Sequence, residues 1–163
     1  MSEIKLGIIG GGQLGSMLSN AAQKLNVKTV IYCDDLDAPA KNFCDEFICG
    51  KYDEKEKINE FIEKVDIATY EFENIPFETL NEINKTKPVL PKPSINRLIQ
   101  HRLAEKDFVN KLNIRTTQYA SVDKKSDLDS LEDLLPGILK TTTMGYDGKG
   151  QYLIKEIREV DAL

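Results

Sequence analysis

The chain has 163 residues, 40% of them hydrophobic and 30% charged, and a formal net charge of −5. That length holds one core, or one domain and the start of another, at the composition of an ordinary globular protein. The acidic balance, with no stripe of Lys and Arg interleaved with aromatics, argues against a nucleic-acid partner, so a small substrate is expected. Cys33, Cys44 and Cys49 form no C-x-x-C pair and His101 is the sole histidine, a pattern that gives neither a zinc spacing nor a disulfide framework. Met-Ser-Glu-Ile-Lys lacks a signal peptide's apolar core, and no apolar run approaches the roughly 18 residues that cross a bilayer. A cytoplasmic location without a membrane partner is expected.

Taken in order, Ile4, Leu6, Ile8 and Ile9 read as a strand buried on both faces. It breaks into Gly10-Gly11-Gly12. From Leu14 the apolar positions Leu14, Met17, Leu18, Ala21 and Leu25 fall on one helical stripe, expected to pack back on the sheet. Lys28–Cys33 is a second strand, Asp34–Ala40 a turn-rich connection and Glu46–Cys49 a third strand. A helix follows with Ile58, Phe61, Ile62 and Val65 on its inner face and Glu54, Lys55, Glu56 and Lys57 in solvent. Asp66–Tyr70 reads as a fourth strand, Pro76–Asn84 as a helix and Val89-Leu90, between prolines, as a short fifth strand. Strands alternating with helices at this spacing predict a doubly wound parallel sheet.

A boundary is expected near Leu90–Ser94, giving domains 1–93 and 94–163. Beyond it, Arg102–Leu112 reads as a helix that buries Ala104, Phe108, Val109 and Leu112, and Thr116–Ala120 as a strand. Leu128, Leu131, Leu134 and Leu135 line one face of a further helix that Pro136-Gly137 ends. Ile138–Lys140 and Tyr152–Ile154 are strands that flank Gly145-Tyr146-Asp147-Gly148-Lys149-Gly150-Gln151.

Two stretches have the chemistry of anion sites. Gly10, Gly12 and Gly15 satisfy G-x-G-x-x-G at a strand-to-helix turn, where backbone N–H groups and the helix dipole favour phosphate. With Asp34 or Asp35 ending the second strand, the same pattern fits a dinucleotide and hence an oxidoreductase domain, or a turn that needs glycine only for space. The second stretch carries Gly145, Gly148 and Gly150 with Lys149 inside the loop and Lys140 one strand earlier, a set of donors and cations that suits a polyphosphate. A plain β-turn at Asp147-Gly148 is the alternative. Glu71 and Glu73 arrive at the carboxyl end of the fourth strand, where they either contact substrate or begin the following helix.

Gly10–Gly15, Asp37-Ala38-Pro39-Ala40, Thr69-Tyr70-Glu71-Phe72-Glu73-Asn74 and Gly145–Gln151 together resemble the N5-carboxyaminoimidazole ribonucleotide synthetases, ATP-grasp enzymes of purine biosynthesis. The resemblance implies an α/β fold: a Rossmann-like doubly wound pre-ATP-grasp domain, then the first, small α+β subdomain of an ATP-grasp domain. It implies a homodimeric ligase that uses ATP and Mg²⁺ to activate bicarbonate as carboxyphosphate and carboxylate 5-aminoimidazole ribonucleotide. On this resemblance Gly12, Gln13, Leu14, Glu71 and Glu73 face the ribonucleotide. Arg102, Lys140, Gly145, Tyr146, Asp147, Gly148, Lys149, Gly150 and Gln151 face ATP, and no catalytic residue is assigned.

Two departures qualify the resemblance. Thr142, Thr143 and Met144 stand where the family commonly has basic residues. Family members run to roughly twice this length, in the range of two-domain chains, and no carboxylate pair after Gln151 is placed to hold metal. The Mg²⁺ ligands are therefore expected outside this chain, which is not expected to turn over alone. A non-catalytic nucleotide-binding module is the further alternative.

Overall fold

The computed structural model describes residues 4–145 and 148–162 and divides into two compact units, Met1–Arg97 and Leu98–Leu163. The first unit runs β1 (Lys5–Ile9), α1 (Gln13–Lys24), β2 (Lys28–Cys33), β3 (Glu46–Cys49), α2 (Lys55–Lys64), β4 (Ile67–Tyr70), α3 (Phe77–Asn84) and all but the last two residues of α4 (Pro93–Ile99). A 3₁₀ turn, Pro39–Asn42, precedes β3. The four strands are parallel in the order β3-β2-β1-β4, with Ile8 opposite both Ile31 and Thr69. The order reverses between β1 and β4. Such a switch point opens a crevice at the carboxyl edge of an open α/β sheet, and here it lies between the glycine turn after Ile9 and Glu71 after Tyr70.

The sheet is covered on both faces, as its near-continuous apolar strands require. On one face Ile9, Val30, Tyr32 and Ile48 meet Ile58, Phe61 and Val65 from α2 and its C-terminal end, and Leu80 and Ile83 of α3. This is the α2 stripe that the sequence spacing predicts. On the other face Ile8, Ile31 and Ala40 form a smaller cluster with Leu6, Cys44 and Phe47.

Helix α1 is turned away from the expected orientation. Leu14, Met17, Leu18 and Leu25 are exposed, as is Ala21, while Gly15, Ser16, Ser19 and Ala22 face inward. The cause is close approach. A Cβ on Gly15 would stand 3.0 Å from the Gly10 carbonyl oxygen and 3.4 Å from the Ala40 Cβ, so only small residues fit the inner face. The expected fifth strand is likewise reduced to one parallel bridge, Ala68 to Val89. Ala68 N–H donates to the Pro88 carbonyl at 2.8 Å and Leu90 N–H to the Ala68 carbonyl at 2.9 Å. Pro88 and Pro91 have no N–H with which to extend the ladder.

The second unit contains α5 (Arg102–Lys111), 3₁₀ segments Lys125–Ser130, Glu132–Leu134 and Ile157–Ala162, and an antiparallel pair, β5 (Gly137–Lys140) and β6 (Gln151–Ile154). A two-stranded sheet offers little surface to pack on. Leu128 and Ile154 are the buried apolar side chains among its described residues. Accordingly α5 buries none of the expected face: Phe108 is 46% and Leu112 55% exposed, with Ala104 and Val109 half-buried. Thr116–Ala120 forms no strand. It is held by side chains instead, Lys106 Nζ donating to the Thr117 hydroxyl at 3.0 Å and Asn110 Nδ2 to the Tyr119 hydroxyl at 3.1 Å. The leucine helix resolves into two 3₁₀ segments, and the spacing explains it. Leu128, Leu131 and Leu134 recur every third residue, the 3₁₀ repeat rather than the α repeat.

Candidate functional site

Each unit carries one glycine-lined corner. In the first, Gly10 adopts φ +106°, a region that side chains disfavour, and its N–H donates to the Tyr32 carbonyl at 2.8 Å as the chain leaves β1. Across the switch point the Glu71 carboxylate reaches the start of α1. Its Oε1 accepts from Gly12 N–H at 2.7 Å and its Oε2 from Gly15 N–H at 2.9 Å. The partial positive charge of the helix start is thus met by an anion from the chain itself. Glu71 does not begin α3, which starts at Phe77 behind Pro76.

This seating decides what the corner can offer. The two N–H groups that a phosphate or pyrophosphate would use are occupied, and a second anion there would face the carboxylate. Gln13 and Leu14 are exposed on the first turn of α1 and Glu73 is half-buried. Asp34 and Asp35 are exposed after β2, and Asp35 Oδ1 accepts from Asp37 N–H at 2.9 Å.

Sequence reasoning missed how the middle glycine is used. A Cβ on Gly11 would lie 2.6 Å from both Cys33 Sγ and Ala38 Cβ, and Ala40 N–H donates to the Gly11 carbonyl at 3.0 Å. Asp37-Ala38-Pro39-Ala40 therefore packs against the turn through buried Ala38 and Ala40. Burial pushes the Cys33 thiol up to about 11, so this cysteine fills space and is not poised as a nucleophile.

The second corner is the 141–150 connection between β5 and β6. Thr141 N–H donates to the Gly150 carbonyl at 3.0 Å and closes its neck. Gly148 and Gly150 have φ of +80° and +63°. A Cβ on Gly150 would stand 2.6 Å from the Thr141 hydroxyl oxygen, and one on Gly145 2.9 Å from it, so the hydroxyl lodges where side chains are missing. Arg102 grips this loop. Its N–H donates to the Thr142 carbonyl at 2.9 Å, its Nε to the Thr141 carbonyl and its Nη2 to the Gly145 carbonyl, both at 3.3 Å. Lys140 is exposed opposite Gln151, and Gly148 and Lys149 are exposed at the tip. Tyr146 and Asp147 lie outside the described residues.

The Arg102 contacts run to backbone carbonyls rather than outward, so Arg102→Ala is expected to loosen the loop. Deleting two long hydrogen bonds, one exposed and one part-buried, removes about 1 kcal/mol, equivalent to roughly fivefold faster amide exchange over 141–150. Hydrogen exchange read by mass spectrometry checks this, with the first unit unchanged. Unaltered exchange in the loop would show that the grip carries no weight.

Among the described residues no three His, Cys, Asp or Glu side chains converge to hold a metal ion, and no helix is long and apolar enough to cross a membrane. The fold and its two corners define a class: a Rossmann-like parallel α/β unit followed by a small unit built on a glycine-looped β-hairpin. Residues 3–100 match the ribonucleotide synthetase preATP-grasp domain family, and residues 107–163 match the ATP-grasp domain family. The chain belongs to the ribonucleotide synthetase preATP-grasp domain family, continuing into the start of an ATP-grasp domain.

It is similar to the N5-carboxyaminoimidazole ribonucleotide synthase of Staphylococcus haemolyticus, 39% identical over 92% of this chain and 41% of that one. It is also 41% identical to a bifunctional purine synthesis protein of Dictyostelium discoideum, over 96% of this chain and 16% of the other. Among solved structures it resembles the N5-carboxyaminoimidazole synthetase of Staphylococcus aureus complexed with ADP, with TM-score 0.91 and 36% identity over 98% of this chain and 43% of that one. The chain thus spans about two fifths of the length of the staphylococcal relatives.

Proposed function

We propose that this chain is the ribonucleotide- and ATP-facing part of an N5-carboxyaminoimidazole ribonucleotide synthetase, a cytoplasmic ligase of purine biosynthesis. In the reaction, a bicarbonate oxygen attacks the γ-phosphorus of ATP, giving carboxyphosphate and ADP. The amino group of 5-aminoimidazole ribonucleotide then attacks the carboxyl carbon, phosphate leaves, and the carbamate product remains. Carboxyphosphate hydrolyses readily, so the reaction needs a mobile cover that excludes water and supplies donors.

The observation that carries the reading is the β5–β6 loop: positive-φ glycines, a lysine at its root and another at its tip, and an arginine on its carbonyls. In this reading Arg102, Lys140 and 145–151 serve the ATP phosphates, and Gly12, Gln13, Leu14, Glu71 and Glu73 serve the ribonucleotide. A homodimer goes with it, and residues 1–93 and 94–163 are its two domains. Mg²⁺ would neutralise the transferred phosphoryl group when bound, but the described residues do not fit a metal site and none is assigned to it. The chain alone is not expected to turn over.

A thermal-shift titration tests the reading. ATP and ADP are expected to raise the midpoint of the 163-residue chain, with NADH inert. Lys140→Ala is expected to abolish most of the nucleotide shift. A response to NADH but not to ATP would favour the oxidoreductase alternative instead.

A further inference from the structure

Thr141, the residue after β5, is tied on both sides of its backbone. Its N–H donates to the Gly150 carbonyl at 3.0 Å, and its carbonyl accepts from Arg102 Nε at 3.3 Å. The side chain is β-branched and stiff about χ1, so fixing the backbone leaves it few positions. It stands in the notch between the two limbs of the loop. A Cβ on Gly145 would lie 2.9 Å from the Thr141 hydroxyl oxygen, and one on Gly150 2.6 Å from that oxygen and 3.0 Å from Thr141 Cγ2. The two glycines thus leave a socket that one threonine fills. Its hydroxyl has no hydrogen-bond partner among the described residues, so what it gives the socket is shape.

The limbs need such a hold. The chain enters the loop through Met144 at φ +58° and leaves it through Gly150 at φ +63°. An ordinary side chain stays in the left-handed region only where its surroundings keep it there. Met144 is 67% exposed, so the hold comes from its neighbours and not from its own side chain. Arg102 reaches the carbonyls of Thr141, Thr142 and Gly145 on the entering limb, whereas Thr141 touches both limbs.

We propose that Thr141 is a positioning residue for the nucleotide: wedged between Gly145 and Gly150, it keeps the loop in the arrangement that receives the phosphates, without touching them. The inference rests on the ATP reading of the loop and adds to it a residue outside 145–151. A loop with three glycines spreads over many conformers unless something fixes it. Affinity then falls in proportion to the fraction of loops that can bind.

Stopped-flow binding of a fluorescent ADP analogue to the 163-residue chain tests the proposal, with Thr141→Ala and Thr141→Val as variants. Thr141 is exposed, so unfolding midpoints without nucleotide are expected to match the wild type. Alanine empties the socket. It is expected to lower the association rate constant about fivefold and to leave dissociation within about twofold, because fewer loops are competent but a bound nucleotide makes the same contacts. Valine keeps both branches and is expected to stay within about twofold of the wild type in both rates. Equal losses in the two variants, or a loss confined to dissociation, would show the hydroxyl gripping the nucleotide itself and overturn the proposal. So would a Thr141→Ala chain that binds like the wild type. Amide exchange without nucleotide separates this result from the ATP reading: Thr141→Ala is expected to exchange about fivefold faster over 142–150. A wild-type chain that binds no ADP overturns the ATP reading, and the nucleotide role of Thr141 with it, whereas unchanged exchange in a chain that does bind overturns the wedge alone.

Discussion

Gly10→Ala is expected to destabilise the first unit by about 3–4 kcal/mol, a large fraction of the 5–15 kcal/mol that holds a domain folded. Two costs add. The first is backbone: φ of +106° is strained for any residue with a Cβ, at about 1–2 kcal/mol. The second is steric. The new Cβ would lie 2.3 Å from Glu71 Cγ and 2.8 Å from its Oε1, so the glutamate must withdraw and leave Gly12 and Gly15 N–H without their acceptor. Losing a charged acceptor at a half-buried helix start costs about 1–3 kcal/mol.

The two costs separate in a double-mutant cycle. Glu71→Ala alone removes the acceptor, and Gly10→Ala in that background then pays only for its backbone. The two changes are expected to be non-additive by about 1–2 kcal/mol in urea unfolding followed by circular dichroism. Additivity within about 0.5 kcal/mol would mean that the alanine methyl and Glu71 never meet. Inorganic phosphate is further expected to stabilise Glu71→Ala more than the wild type, because the emptied N–H pair becomes available to an external anion.

How legible this corner was depends on the range of the forces that build it. β2 and β3 were readable to the residue because each has a short apolar run, Val30–Cys33 and Phe47–Cys49, entered through polar residues and bounded by turn-rich sequence. The glycine turn was readable because a strand, glycines and a helix start are local. The partner of that turn was not. Glu71 is 59 residues from Gly12, and only the parallel pairing of β1 with β4 places the two ends side by side. The rotation of α1 has the same origin: an amphipathic stripe states that one face is apolar, not which body covers it. Gly15 against the Gly10 carbonyl and Ala40, a tertiary contact, sets the facing.

In the second unit the difficulty is different. Local pattern there had no large sheet to enforce it, so Phe108 and Leu112 stayed exposed, and the three-residue leucine spacing resolved as 3₁₀ turns. The hairpin strands were readable, since Gly137 and the glycine cluster bound them. The hold of Arg102 on the Thr141 and Gly145 carbonyls was not, because an arginine's sequence context does not say whether it meets a ligand or the chain's own backbone.

Phe61→Ala is expected to be the most damaging single truncation in the first unit, at about 3–5 kcal/mol. Phe61 is fully buried, its ring 5.6 Å from that of Tyr32. It fills a socket that β1 leaves open: a Cβ on Gly7 would stand 2.4 Å from Phe61 Cζ and 2.9 Å from Val65 Cγ1. Gly7, just upstream of the glycine run, thus seats a core ring and has no part in the turn. Removing the ring leaves a cavity beneath the strand that delivers Gly10, and the surrounding sheet cannot collapse into it without moving β1. For a unit of about 100 residues the loss corresponds to a fall of at least 12 °C or so in the unfolding midpoint. The chain has no tryptophan, so far-UV circular dichroism is the appropriate monitor. The socket makes a second, opposite demand. Gly7→Ala overpacks it at about 1–3 kcal/mol, and Phe61→Leu, by shortening the side chain, is expected to relieve part of that cost. A Gly7→Ala penalty unchanged by Phe61→Leu would place the clash elsewhere than at this ring.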